Sequence, residues 1–242
     1  MFERAVDYPT AVASYDDAGV AAAIDWCLRR MQGGDTLTVW TSQKSNLGNC
    51  APLEQLMRHS NVEHVTGRGG GGVRGPGPVL MAWAHMDDIG KLIRSGHAGD
   101  VRGLCVITWN ADWLRPWVAA VGPELLGDRS PWDTAAPELD PLIVEALRAL
   151  TSVINHSNSI EAAFEKDMVG GAPLALHDAR IEMDGAGMQA WALAHGWSGG
   201  NPERLARYVK DIGAGKRPRC RHVLRADYVQ ELRRRVAENA QS

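Results

Sequence analysis

Short, uninterrupted apolar runs alternate with stretches of helical periodicity over residues 1–126, and this alternation restricts the fold more than any other feature. DTLTVWT (35–41), NVEHVT (61–66), PVLMAW (78–83) and VRGLCVITW (101–109) have the length and composition of strands. Between them the spacing predicts helices over 16–31, 52–59 and 86–94, and a last one that Asp112 caps and that runs to Val121. In the first of these, Val20, Ile24, Cys27, Leu28 and Met31 trace one stripe, which stops at Gly33-Gly34. Strands apolar along their whole length are buried on both faces, as in parallel sheets covered by helices. The expectation is an α/β fold over 1–126: a mainly parallel, doubly wound, Rossmann-like sheet.

The pattern then changes. GDRSPWDTAAPELDP (127–141) carries three prolines among small polar residues, so 127–138 is expected to be a linker. Beyond it no strand signal appears. Asp140 is placed to cap a helix with Pro141 at its first position, and Leu142, Ile143, Ala146, Leu147, Leu150, Val153 and Ile154 follow on one face. Further helices are expected over 159–168, 185–195, 201–212 and 226–238, which makes 139–242 a helical C-terminal domain.

Several chemistries are disfavoured at this level. Cys27, Cys50, Cys105 and Cys220 form no C-x-x-C pair, and the eight histidines form no H-E-x-x-H helix motif, so no zinc or redox centre is expected. The opening MFERAVDYPT has no apolar signal core and no segment approaches the ~20 apolar residues of a membrane helix. A cytoplasmic protein with no membrane partner is therefore expected.

The glycine-rich stretch TGRGGGGVRGPGP (66–78) invites a phosphate-loop reading. A Walker loop needs a lysine and must run directly into a helix, whereas these glycines run into Pro76, Pro78 and a strand. The dinucleotide fingerprint fails for the same reason. Residues 67–77 can reach roughly 36 Å at ~3.3 Å per residue, enough to carry the chain from one end of a parallel sheet to the other without a helix, and the same loop could instead close an antiparallel pair. Two readings stand: a connector, or a connector whose amides and two arginines also grip an anion.

Doubly wound sheets bind ligands beyond the carboxyl ends of their strands. That rule selects Ser42, Gln43 and Lys44, then Arg68, then His85, Asp87 and Asp88, then Asn110 and Asp112. Lys44, Arg68 and Arg74 are the candidate phosphate ligands, and His85, Asp87 and Asp88 the candidate acid–base groups. No cofactor motif is present; the adjacent aspartates have the oxygen chemistry that Mg²⁺ requires. Trp109, Trp113 and Trp117 cluster where a strand passes into a helix, and a nucleobase can stack on any that stays exposed.

Charge is divided along the chain. From Asn201 to the end there are eleven Lys or Arg and five Asp or Glu, although the whole chain carries −3. In GAGKRPRCRH (213–222), Lys216, Arg217, Arg219 and Arg221 can reach phosphates without reading bases. The leading expectation is thus a nucleic-acid-associated protein that uses this basic end. An enzyme acting on a nucleotide or other phosphorylated small molecule at the sheet's carboxyl ends is the alternative. A non-enzymatic assembly or interaction protein is the third class, and its sign would be a large exposed apolar or tryptophan-rich patch.

Overall fold

The computed structural model describes residues 8–67, 72–92, 100–133, 138–154, 159–161, 163–197, 199–220 and 224–241. The described residues form two compact units, one up to residue 133 and one from residue 138.

The first unit is a six-stranded, all-parallel sheet in the order β3-β2-β4-β5-β1-β6, flanked by helices. Its strands are β1 (Thr10–Ser14), β2 (Leu37–Thr41), β3 (Val62–Thr66), β4 (Gly77–Ala82), β5 (Val101–Thr108) and β6 (Glu124–Leu126). The helices are α1 (Asp17–Leu28), α2 (Ala51–Leu56), α3 (Met86–Leu92) and α4 (Arg115–Val121). β2 and β4 are buried along their whole length, as their continuous apolar runs require. Ala11, Ala13, Val39, Leu80, Ala82, Cys105 and Ile107 of the sheet share one core with Val20, Ala23, Trp26 and Cys27 of α1. Trp26 is fully buried; its Nε1 donates to Glu124 at 2.7 Å, and the Arg30 guanidinium lies 3.5 Å over its ring.

Two strands lie outside the expected set. β1 is TAVAS, and alanine carries little strand preference, so its central place between β5 and β6 comes from packing. β6 is three residues long. The capping expectation for Asp112 is corrected: Asn110 makes the cap, its side chain accepting from the Asp112 amide at 3.0 Å. A short 3₁₀ turn (Ala111–Trp113) follows, and α4 begins only at Arg115, next to Pro116 in its first turn.

The chain passes from the carboxyl end of β3 to the amino end of β4, and both strands flank β2. The glycine-rich segment therefore makes a parallel crossover, and its described residues 72–76 contain no helix. At its end Thr36 donates its amide to Pro76 O at 3.0 Å, which fixes the entry to β4 against the entry to β2.

The second unit is helical: α5 (Pro141–Val153), α6 (Ala163–Asp178), α7 (Gly185–Ala194), α8 (Asn201–Gly213) and α9 (Tyr228–Asn239). Asp140 caps α5 as its sequence predicts, accepting from the Leu142 amide at 2.7 Å. Ile143, Leu147, Leu150, Ile160, Val169, Leu176, Met188, Trp197, Leu205, Val209 and Leu232 meet in one core. α6 runs well past the expected end at 168, through Gly170, Gly171 and Pro173. The packing there overrides the local signal: Pro173 is buried, and Pro218, Cys220 and Leu224 close over the two glycines.

Candidate functional site at the carboxyl edge of the sheet

In the observed strand order the chain leaves β1 for β2 and β2 for β3 in one direction, and then moves from β4 to β5 to β6 in the other. Neighbours whose connections depart oppositely are β3/β2, β2/β4 and β5/β1, and in doubly wound sheets ligands bind beyond the carboxyl ends of such pairs. The parallel registers align those ends. Trp40 pairs with Met81, Ala82 with Ile107, and Ser14 with Thr108, so the residues that follow β2, β4, β5 and β1 stand along one edge.

Aromatic rings fill that edge. Tyr15, after β1, stands edge-on to Trp83, after β4, with centroids 5.6 Å apart, and to Trp109, after β5, at 6.4 Å. Trp109 meets Trp113 at 5.8 Å, and Trp113 stacks on His85 at 4.1 Å and 27°. Trp109 is 62% exposed, unusual for so large an apolar side chain, whereas Trp117 is buried in the core.

Trp83 bears two costs at once. Its φ of 61° is in the left-handed region, about 1–2 kcal/mol unfavourable for an L residue with a Cβ. Its indole Nε1 is buried with no hydrogen-bond partner among the described residues, about 1–3 kcal/mol more. The surroundings hold it there: its amide donates to Ile107 O at 2.8 Å, and its side chain joins the α1–sheet core. Strain retained in this way concentrates at ligand sites.

Around the rings, the turns satisfy their own amides. Asp16 accepts from the Gly19 amide at 2.8 Å and from the Ser14 hydroxyl, and these bonds hold its carboxyl below the usual carboxylate range. Ser14 Oγ in turn accepts from the Asp128 amide at 3.1 Å. A Cβ on Gly19 would lie 2.2 Å from Ser14 O, so the start of α1 can approach β1 this closely only with glycine there. Asp88 accepts from the His85 amide at 3.0 Å, Asn110 from Asp112, and Asp128 from the Ser130 amide at 2.9 Å.

At the β2/β3 end, Thr41 gives its hydroxyl proton to Gln43 O at 2.7 Å. His64 Nε2, 2.8 Å from the same hydroxyl oxygen, is thereby left as the donor of that bond. Burial first, and the Lys44 charge second, push the His64 pKa down.

The sequence-selected residues distribute unequally over this frame. Lys44, His85, Asp87, Asp88, Asn110 and Asp112 all follow carboxyl ends. Asp88 is engaged as a helix-start acceptor and Asp112 pairs with Arg115 at 2.8 Å. Arg74 stands apart: it lies three residues before Gly77, at the amino end of β4. Lys44 and Arg74 therefore belong to opposite edges of the sheet. Arg68 lies outside the described residues. Among the described residues no three His, Cys, Asp or Glu side chains gather as a metal site. Sequence reasoning passed over Tyr15 and Asp16 because β1 was not recognised; the helix start at Asp16 was the available signal.

In the helical unit the basic end is largely neutralised by its own neighbours. Arg217 makes a two-pronged pair with Asp178 at 3.0 and 2.6 Å, and Lys216 pairs with Asp211 at 2.7 Å. Arg204 reaches Glu161, Arg207 reaches Glu203, and Arg235 reaches Glu231 and Glu145. Residues 137–242 contain fourteen acidic and fourteen basic side chains, so the basic end is balanced within its own part of the chain. Lys210, Arg219 and Arg233 are exposed and have no ion-pair partner among the described residues. Arg221 lies outside them.

A family model described as a domain of unknown function (DUF1889) matches residues 139–233, within the helical part of the chain. No curated protein and no solved structure matches the chain.

Proposed function

We propose that the α/β unit binds a small molecule through a flat nitrogen heterocycle, such as a nucleobase, at the carboxyl edge of its sheet. The exposed Trp109, set among Tyr15, Trp83 and Trp113 at the carboxyl ends of β5 and β1, carries this reading. A ring laid on an indole gains ~1–3 kcal/mol from stacking. His85 on the neighbouring β4 turn is an exposed acid–base group stacked on Trp113, and Lys44 on the β2 turn is an exposed cation available to a phosphorylated ligand. Calorimetric titration of adenosine into wild type and Trp109→Ala tests the reading. Binding that the variant loses supports it, and equal behaviour of the two proteins opposes it.

Nucleic-acid contact by the basic end is a second reading, supported by Lys210, Arg219 and Arg233, which are exposed and have no ion-pair partner among the described residues. It is the less favoured because Lys216 and Arg217 already neutralise aspartates. If it holds, affinity for duplex or single-stranded nucleic acid falls steeply with salt. Alanine at Lys210, Arg219 and Arg233 then flattens the log K–log salt slope by about 2–3 units.

A further inference from the structure

We infer that the aromatic edge selects a positively charged heterocycle and discriminates against a phosphorylated one; the inference rests on the ring-binding reading above. A phosphate at the carboxyl edge of a doubly wound sheet is normally held by free amides at helix starts. In this sheet the β1, β4, β5 and β6 turns spend an amide on their own Asp16, Asp88, Asn110 and Asp128. Three of those four acceptors are carboxylates, and they occupy the places that an incoming phosphate would need.

The remaining charge points the same way. Asp16, Asp17, Asp87, Asp88, Asp112 and Asp128 lie on the turns and helix starts that follow the strands, against Lys44, Arg115 and Arg129 among the described basic residues there. Arg115 and Asp112 neutralise each other at 2.8 Å, and the excess lies with the other aspartates. Asp16 and Asp112 are the sequence neighbours of Tyr15 and Trp113, and Asp88 bonds to the backbone of His85, whose ring stacks on Trp113, so acidic residues share the turns that carry the rings. The faces of tyrosine and tryptophan are electron-rich and attract a cation by ~0.5–2 kcal/mol. Rings and acids together favour a delocalised cation: stacking retains the flat contact, and the positive charge meets the carboxylates.

One base in three charge states separates this inference from the reading on which it rests. Adenosine is neutral, 1-methyladenosine carries a positive ring at neutral pH, and adenosine 5′-monophosphate is anionic. Titrated into the full-length protein at low salt, 1-methyladenosine should bind on the order of five-fold tighter than adenosine, and the monophosphate on the order of three-fold more weakly. Asp16→Asn keeps a good helix cap while removing the charge. It should reduce the preference for 1-methyladenosine over adenosine by about half or more on a logarithmic scale. Tighter binding of the monophosphate than of adenosine, or a cation preference untouched by Asp16→Asn, overturns the inference while the stacking site stands. Failure of all three ligands to bind sinks the ring-binding reading and the inference with it.

Discussion

A Cβ placed on Gly77 would lie 2.1 Å from the carbonyl oxygen of Thr36, and Gly77 itself has φ 151°, so the entry to β4 is closed to every residue but glycine. The contact locks the amino end of β4 against that of β2, directly after the glycine-rich crossover. Gly77→Ala must shift a backbone that Thr36 N and Pro76 O already fix at 3.0 Å. The expected cost is about 3 kcal/mol or more, read as a lower urea midpoint at unchanged slope. The four consecutive glycines upstream draw attention in the sequence, but the steric requirement rests on this later one.

Arg180 occupies the position after α6 where glycine usually stands. Its φ is 62°, Arg180 N donates to His177 O at 2.8 Å, and Ile181 N donates to Leu176 O at 3.0 Å, the paired bonds of a Schellman ending. A side chain in that conformation is strained, and nothing in the hydrogen-bond pattern requires arginine. Arg180→Gly should raise stability by about 1 kcal/mol in chemical unfolding.

His64 gives a pH dependence with a definite sign. Its folded pKa is below 6.5, so on acidification the unfolded chain takes up this proton before the folded one does. In that window the unfolded state binds more protons, and stability rises with pH and falls on acidification. His64→Gln keeps an N–H donor for Thr41 and cannot titrate. Between about pH 7.5 and pH 5 the wild type should therefore lose more stability than the variant. Equal loss by the two proteins would remove His64 from the account.

What the sequence disclosed follows the strength of the local signal. VRGLCVITW reads as a strand because apolar and β-branched residues run unbroken from Leu104 to Trp109, and Val101–Thr108 is β5. TAVAS is also an interior strand, between β5 and β6, but it contains two alanines and one valine, and so carries little strand signal. Missing it removed Tyr15 and Asp16 from the candidate edge, although Lys44, His85, Asp87, Asp88, Asn110 and Asp112 were placed there correctly by the carboxyl-end rule. Asp112 does not cap α4, because Asn110 accepts the Asp112 amide and starts a 3₁₀ turn that places Asp112 inside it, and α4 begins only at Arg115. The left-handed turn at Trp83 has no sequence signature, since tryptophan has no preference for it. The basic end appeared free because its partners Asp178, Glu161 and Glu145 lie far back in the chain and reach it only through helix packing.

The central claim is that Trp109 is a ligand platform, and its most direct measurement is adenosine affinity by calorimetry in wild type, Trp109→Ala and Trp109→Phe. Loss of ~1–3 kcal/mol of stacking predicts that the alanine variant binds roughly 5- to 150-fold more weakly. Phenylalanine, which keeps a flat face, should recover most of that loss. Unfolding midpoints should change little in either variant, because the Trp109 ring is 62% exposed. Wild-type affinity retained in Trp109→Ala, or no binding of adenosine and its cationic analogue by the wild type, would contradict the account.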